Sequence, residues 1–247
     1  MTATSTAQAT DLFARSHDQV VLPWLDEQIR LLLERIEASE SWQTLANPTT
    51  SPQLLLALMR EVYLEIYSYQ PQVIEATIAT IARMPKSDAK MIQKMLIHQA
   101  EEADHGEIAL KDYVALGGDE GYARKRRMSS ASFIVASLWW GLCKMESPFA
   151  YLGGLYLFEG LTPIVSLRAK EILGQRGFPD EALNFIDFHS TEDIKHTNMV
   201  RKLLEYVVSK YPGTDESIKY GFECFAAIYP IPVWDEACRR AKLSVIA

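Results

Sequence analysis

The segment FHSTEDIKH, residues 188–196, places two histidines and an aspartate at helical intervals. His189, Asp193 and His196 are separated by four and then three residues, so on an α-helix they share one face. Apolar residues on either side fall near that same face: Phe185, Ile186, Val200 and Leu203. Because burying two imidazoles and a carboxylate without a partner is costly, the segment predicts an inward-facing metal site on a helix.

Helical periodicity extends through almost the whole chain, whereas strand patterns are nearly absent. The predicted helices span about 17–40, 51–84, 86–116, 129–144, 148–174, 179–210 and 215–243, each to within a few residues. No Gly/Ser-rich linker divides the chain. The sequence therefore predicts one all-α domain over residues 1–247, a seven-helix bundle with its metal-binding helices at about 51–210.

Local signals set several of these limits. Ser51-Pro52 and Phe178-Pro179-Asp180 are typical helix starts, because proline is tolerated in the first helical turn. Gly117-Gly118 and Gly174 are typical stops. Two prolines lie inside long helical patterns and are expected to kink them: Pro71 and Pro163.

Composition narrows the class of function. The formal net charge of -7 argues against non-specific nucleic-acid binding, which needs a basic face. Three widely spaced cysteines do not form a disulfide framework, the N-terminus lacks a secretory signal, and the apolar segment 132–143 is too short to span a bilayer. We therefore expect a cytoplasmic protein with a small-molecule substrate and without a nucleic-acid or membrane partner; a homodimer is left open.

A weak internal repeat gives the strongest functional signal. Carboxylate-x-x-histidine pairs occur at residues 102–105 and 193–196. Each pair follows a lone glutamate on an earlier helix: Glu65 lies 37 residues before the first, and Glu159 lies 34 residues before the second. Two half-bundles that each supply a lone carboxylate and such a pair are typical of di-iron carboxylate helix bundles.

Glu159 is the clearest individual candidate, because its neighbours in YLGGLYLFEGLTPIV (151–165) are apolar, glycine, threonine or proline. An ionised carboxylate in that setting costs several kcal/mol unless it is paired. The alternative to a metal is a buried ion pair with Arg168 or Lys144. For the histidines at 189 and 196, the alternative is a hydrogen-bonded core histidine, with Asp193 at the surface.

In residues 91–113 a helical wheel places Glu102 and His105 on the apolar face, while Glu101 and Asp104 fall on the solvated side. His98 lies one turn along the same face, either as an extra ligand or as a supporting core histidine. On the preceding helix, the apolar stripe is centred closer to Glu65 than to Glu61, which makes Glu65 the preferred ligand there.

Together these residues resemble the haem-oxygenase-like di-iron oxidases and oxygenases, a family that includes a chlamydial death-domain-associating protein, fatty-acid decarboxylases and N-oxygenases. The resemblance covers about residues 50–205, and the H-x-x-x-D-x-x-H block at 189–196 is its most specific part. It implies a seven-helix haem-oxygenase-like fold with two iron ions as cofactor and O2 as co-substrate. One departure is that some relatives carry a carboxylate at the position of His98.

The resemblance also implies how the ligands divide. One iron would be held by His105, Glu159 and His189, and the other by Glu65, Asp193 and His196, with Glu102 bridging or nearby. The implied activity is the oxidation of a small amine, amino acid or carboxylic acid, by N-oxygenation or oxidative C–C cleavage.

Remaining candidates concern substrate binding and other functions. A carboxylate-bearing substrate needs a cation near the pocket, for which Lys144 and Arg168 are the candidates, with Lys170 nearby. Should Glu159 not bind metal, Glu146 is next in line. The competing functions are a metal-free thiaminase-like enzyme with Cys143 as nucleophile and a ferritin-like iron-binding protein.

Overall fold

A computed structural model describes the backbone of residues 5–145 and 147–246 and the side chains of residues 21–145 and 147–246. The described residues contain no β-strand, so the predicted all-α class is confirmed. The α-helices, in chain order, are α1 (Ser5–Glu37), α2 (Glu40–Ala46), α3 (Pro52–Ile81), α4 (Ala89–Glu102), α5 (His105–Ala115), α6 (Glu120–Lys125), α7 (Ser130–Cys143), α8 (Tyr151–Gln175), α9 (Asn184–Thr191), α10 (Asp193–Lys210), α11 (Thr214–Ile228) and α12 (Ile231–Ile246). Short 3-10 turns at Pro148–Ala150 and Asp180–Ala182 precede α8 and α9.

Two long helices organise the bundle. One is α3, which packs against α5, α7 and α12; the other is α8, which packs against α9, α10 and α11. The segment Pro148–Gln175, which contains α8, is long and apolar enough to cross a membrane, but 67% of its most apolar window is buried inside the bundle. That burial is what the core helix of a helical domain requires.

Several predicted boundaries are confirmed. Helix α3 begins at Pro52, with the Ser51 side chain accepting a hydrogen bond from the Leu54 N–H, and α5 is followed by Gly117 at a φ of 80°. Helix α8 continues one residue beyond Gly174. The two internal prolines lie inside long helices, Pro71 in α3 and Pro163 in α8.

Three predicted helices are each divided in two, and α2 and α6 were not predicted. The predicted helix 86–116 breaks at residues 103–104, and 179–210 breaks at Glu192, where the Lys195 N–H bonds the Glu192 carbonyl in a tighter turn. The third, 215–243, breaks at Tyr229-Pro230. The first two breaks lie inside the histidine motifs, and interruptions of this kind are frequent at functional sites.

Candidate metal centre

Four side chains from three helices converge between α4, α8 and α10. His98 and Glu102 come from α4, Glu159 from α8 and His196 from α10, and one ligand atom of each lies within 4.8 Å of the others. The His98 Nε2 atom is 3.0 Å from Glu159 Oε1, and His196 Nδ1 is 3.2 Å from Glu102 Oε1. All four side chains are buried, so their polar atoms cannot be hydrogen-bonded by bulk water.

A second group shares one member with the first. Glu102, His105 on α5 and His189 on α9 also bring one ligand atom each within 4.8 Å of one another. The Glu102 Oε2 atom is 2.6 Å from His105 Nδ1, which in turn is 3.2 Å from His189 Nε2. Since the other oxygen of Glu102 faces His196, this carboxylate lies between the two groups and belongs to both.

The orphaned atoms of the site fit metal ions. Five buried nitrogen and oxygen atoms of the candidate ligands make no hydrogen bond to any described residue: His98 Nε2, Glu102 Oε1, His105 Nε2, Asp193 Oδ1 and His196 Nδ1. Leaving a buried donor or acceptor unpaired costs about 1–3 kcal/mol each, so several of them facing one another indicate a missing common partner. A set of carboxylates and imidazoles without thiolate suits iron or manganese.

The ionisable groups of the site shift one another's pKa values. Burial opposes all three of the following shifts. The facing histidines lower the pKa of Glu102 and of Glu159, and the carboxylates of Asp193, Glu102 and Glu159 raise the pKa of His196 to about 12. Without metal, a proton on His196 therefore supplies positive charge that a cation would otherwise provide.

The remaining shifts have burial as their largest cause. Burial raises the pKa of Asp193 to about 7, and the carboxylates of Glu159 and Glu102 act in the same direction. Burial beside the His105 ring lowers the pKa of His189 to about 4. His189 is thus a neutral imidazole at physiological pH, which is the form that binds metal.

Two histidines have an acceptor at the nitrogen that faces away from the cluster. The His189 Nδ1 atom lies 2.6 Å from the Phe185 carbonyl oxygen and donates to it, and His196 Nε2 lies 3.3 Å from Glu101 Oε2. Such contacts fix the tautomer and ring orientation of a metal-binding histidine. Sequence reasoning placed Glu101 on the solvated side; it is indeed 56% exposed at its side chain, but its carboxylate reaches back to His196.

Glu65 lies outside both groups. Its buried carboxylate accepts hydrogen bonds from Arg126, at 2.8 Å, and from Ser129 and Ser132 at the start of α7. The helical wheel correctly placed Glu65 in the interior. Its neighbours there belong to the α6–α7 connection and to α7 itself. Its role as a ligand stays a prediction from the sequence.

Other predicted residues are placed as follows. Asp193 Oδ1 is 3.6 Å from His196 Nδ1, beside the first group. Arg168 pairs with Glu37 near the surface, and Lys144 is exposed at the end of α7. Glu146 lies outside the described residues.

The structure groups the ligands differently from the division that the resemblance implied. Glu159 lies with His196 and His98, whereas His105 and His189 form the other group with Glu102. The reason is the packing of α8 directly against α10, which brings Glu159 opposite His196.

A cavity of about 150 Å³ adjoins the centre. Its wall includes ligand candidates, among them His98, Glu102 and Glu159, and it follows α3 from Thr77 to Leu58, about 28 Å at the helical rise. The described residues that line it are mostly apolar or aromatic and include no lysine or arginine, so neither predicted substrate cation contributes. The buried Cys143 does not line this cavity either.

The family model of an iron-containing redox enzyme matches residues 60–229, more than half of the chain and all of the helices that carry the two groups. The chain belongs to this family. A crystal structure of a domain of unknown function from Shewanella denitrificans OS217, described as having a heme oxygenase-like fold, is similar to this chain. The two share 19% identity with a TM-score of 0.80, over 90% of this chain and 94% of that one, which establishes the haem-oxygenase-like fold. No protein of curated function matches the chain in sequence.

Proposed function

We propose that this family member is a non-haem di-iron oxygenase or oxidase that uses O2 to oxidise a small organic substrate. The observation that carries the proposal is the shared carboxylate of Glu102, which joins a group of four ligands to a group of three. The six residues do not form one group within that distance, which favours two ions over one.

The described residues of the two groups would share the binding of the two irons. His98, Glu159 and His196 would hold one iron, His105 and His189 the other, and Glu102 both. When bound, iron would relay electrons to O2 from the substrate and, in an oxygenation, also from an external reductant. The helices around the groups exclude bulk water, which strengthens every electrostatic interaction inside the site.

The cavity supports a substrate with an apolar body that lies next to the ligands. Its wall offers aromatic and aliphatic surface from α3 and α8, such as Ile66, Phe158 and Val165. Because no lysine or arginine lines it, a substrate carboxylate would have no ion pair with the wall. An amine, an amino acid and a carboxylic acid all stay candidates, as does the cytoplasmic location.

Iron loading and O2 consumption test the proposal. Anaerobic titration with Fe(II) should saturate close to two ions per chain, and O2 uptake should then depend on a member of a panel of amines, amino acids and fatty acids. Glu102→Ala should lower the iron content below one ion per chain, because both groups lose a ligand. The matched control is Glu107→Ala, which removes an exposed glutamate of α5 that pairs with Arg124. This variant should keep two iron ions per chain.

Two results would overturn the proposal. Saturation at one ion per chain contradicts the di-iron centre. Iron uptake with O2 consumption that no substrate accelerates favours the ferritin-like alternative.

A further inference from the structure

Gln99 lies in the cavity wall, beside the candidate metal centre. It follows His98 on α4, is only 5% exposed and lines the cavity. Its amide nitrogen Nε2 is 3.1 Å from His98 Nδ1, whereas its oxygen Oε1 is buried and makes no hydrogen bond to a described residue. The amide therefore contacts the one nitrogen of His98 that faces away from the ligand group.

The orientation of this amide decides which nitrogen of His98 carries the proton. With Nε2 of Gln99 donating to Nδ1, a neutral His98 has its proton on its own Nε2, the atom that faces Glu159 at 3.0 Å. A protonated nitrogen has no lone pair for a cation. Turning the amide by half a turn about its last bond exchanges its oxygen and nitrogen, so that Oε1 accepts from a proton on Nδ1 and the imidazole Nε2 is left free.

Two other histidines of the centre, His189 and His196, show the arrangement that metal binding needs. His189 donates from its outer nitrogen to the Phe185 carbonyl, and the outer nitrogen of His196 faces the Glu101 carboxylate. In both cases the group opposite the outer nitrogen is a pure acceptor. Of these three partners of an outer nitrogen, the Gln99 amide is the one that can either donate or accept.

We propose that Gln99 is a positioning residue for His98: its amide oxygen accepts from the Nδ1 proton and thereby presents Nε2 to the cation of the first group. The inference rests on the proposed function, since it needs a cation held by His98, Glu102, Glu159 and His196.

Three substitutions separate this role from simple packing. Gln99→Leu keeps a similar volume but offers no acceptor, and Gln99→Glu offers a carboxylate that can only accept. Gln70→Leu, at another glutamine of the cavity wall for which no hydrogen bond to a described histidine is found, is the matched control. Zn(II) serves as the probe, because it is diamagnetic and binds both imidazole and carboxylate.

Zn(II) affinity is measured by competition titration, together with long-range ¹H–¹⁵N correlation spectra of the histidine rings. The wild type should bind two ions with the His98 proton on Nδ1. In Gln99→Leu the affinity for one ion should fall by about 10–100-fold, the usual effect of removing a partner of a ligating histidine. Gln99→Glu should restore it, and Gln70→Leu should bind like the wild type.

Different failures have different meanings. If Gln99→Leu binds both ions as tightly as the wild type, or the loaded wild type carries the His98 proton on Nε2, the role of Gln99 is wrong while the di-iron proposal stands. If the wild type binds no ion, or a single ion at the His105–His189 group alone, both fall. The spectrum of the wild type decides the point even if Gln99→Leu does not fold.

Discussion

At the scale of single residues, Glu65 and Glu102 differ only in their surroundings. Both are buried glutamates on the inner faces of neighbouring helices. Glu65 meets the guanidinium of Arg126 and two serine hydroxyls, which satisfy its carboxylate. Glu102 meets histidines on both sides, and one of its oxygens makes no hydrogen bond to a described residue. Only the second setting calls for a cation.

This contrast predicts opposite effects for the two alanine variants. Glu65→Ala should cost about 3 kcal/mol of the free energy of unfolding, because it leaves the buried Arg126 with Glu61 as its remaining carboxylate partner. Its iron content should stay that of the wild type, whereas Glu102→Ala should lose iron. Urea unfolding and iron per chain measure the two quantities. Lost iron with an unchanged free energy of unfolding in Glu65→Ala would instead support the ligand role predicted from the sequence.

At the scale of helices, the position of Glu159 depends on how closely α8 approaches α11. A Cβ atom on Gly153 would lie 1.9 Å from the Ile218 carbonyl oxygen, and one on Gly221 would lie 1.8 Å from the Ala150 carbonyl oxygen. These neighbours are backbone atoms, which cannot turn aside as a side chain does. The two glycines therefore set the distance between the helices, and with it the position of Glu159, six residues further along α8.

Gly153→Ala should consequently destabilise the fold by about 3 kcal/mol, at the upper end for overpacking, and lower the iron content as Glu159 is displaced. Gly141→Ala in α7 is the control, since nothing lies within 4 Å of its added methyl group. There the better helix propensity of alanine should stabilise by about 0.5 kcal/mol. Equal unfolding midpoints for the two variants would show that α8 and α11 can separate without cost.

At the scale of the whole molecule, the centre places three buried carboxylates among four histidines inside one helix bundle. Ligands arrive from five helices, α4, α5, α8, α9 and α10, and the two connections inside the motifs are breaks in helices rather than long loops. A cation bound there contacts elements from both halves of the bundle. Metal binding and folding are therefore linked.

Loading with Fe(II) in the absence of O2 should raise Tm. At a free concentration 100-fold above Kd, each ion adds about 2.7 kcal/mol, or about 5 to 10 °C for a chain of this size. Mg²⁺, which prefers oxygen ligands, should have a much smaller effect. Calorimetry of metal-free, Fe(II)-loaded and Mg²⁺-treated protein makes the comparison, and a Tm that Fe(II) leaves unchanged would contradict the linkage.

The sequence by itself determined the helical class, most of the inward-facing positions and which carboxylates and histidines are candidate ligands. These follow from local periodicity: a spacing of three or four residues fixes which side chains share a face, and a charged group on an apolar face needs a partner. Glu102, His105, Glu159, His189 and His196 were found in this way, and the structure brings all five together.

Tertiary packing alone decided which helix faces contact each other and at which position along the helix axes. A helical wheel gives direction around one axis and says nothing about what lies opposite, so it could not separate Glu65, which meets Arg126, from a residue that meets histidines. For the same reason it left His98 undecided and placed Glu101 in solvent. The breaks at residues 103–104 and at Glu192 carry no glycine or proline. They arise where the ligands of neighbouring helices must converge, and that requirement exists only in the folded molecule.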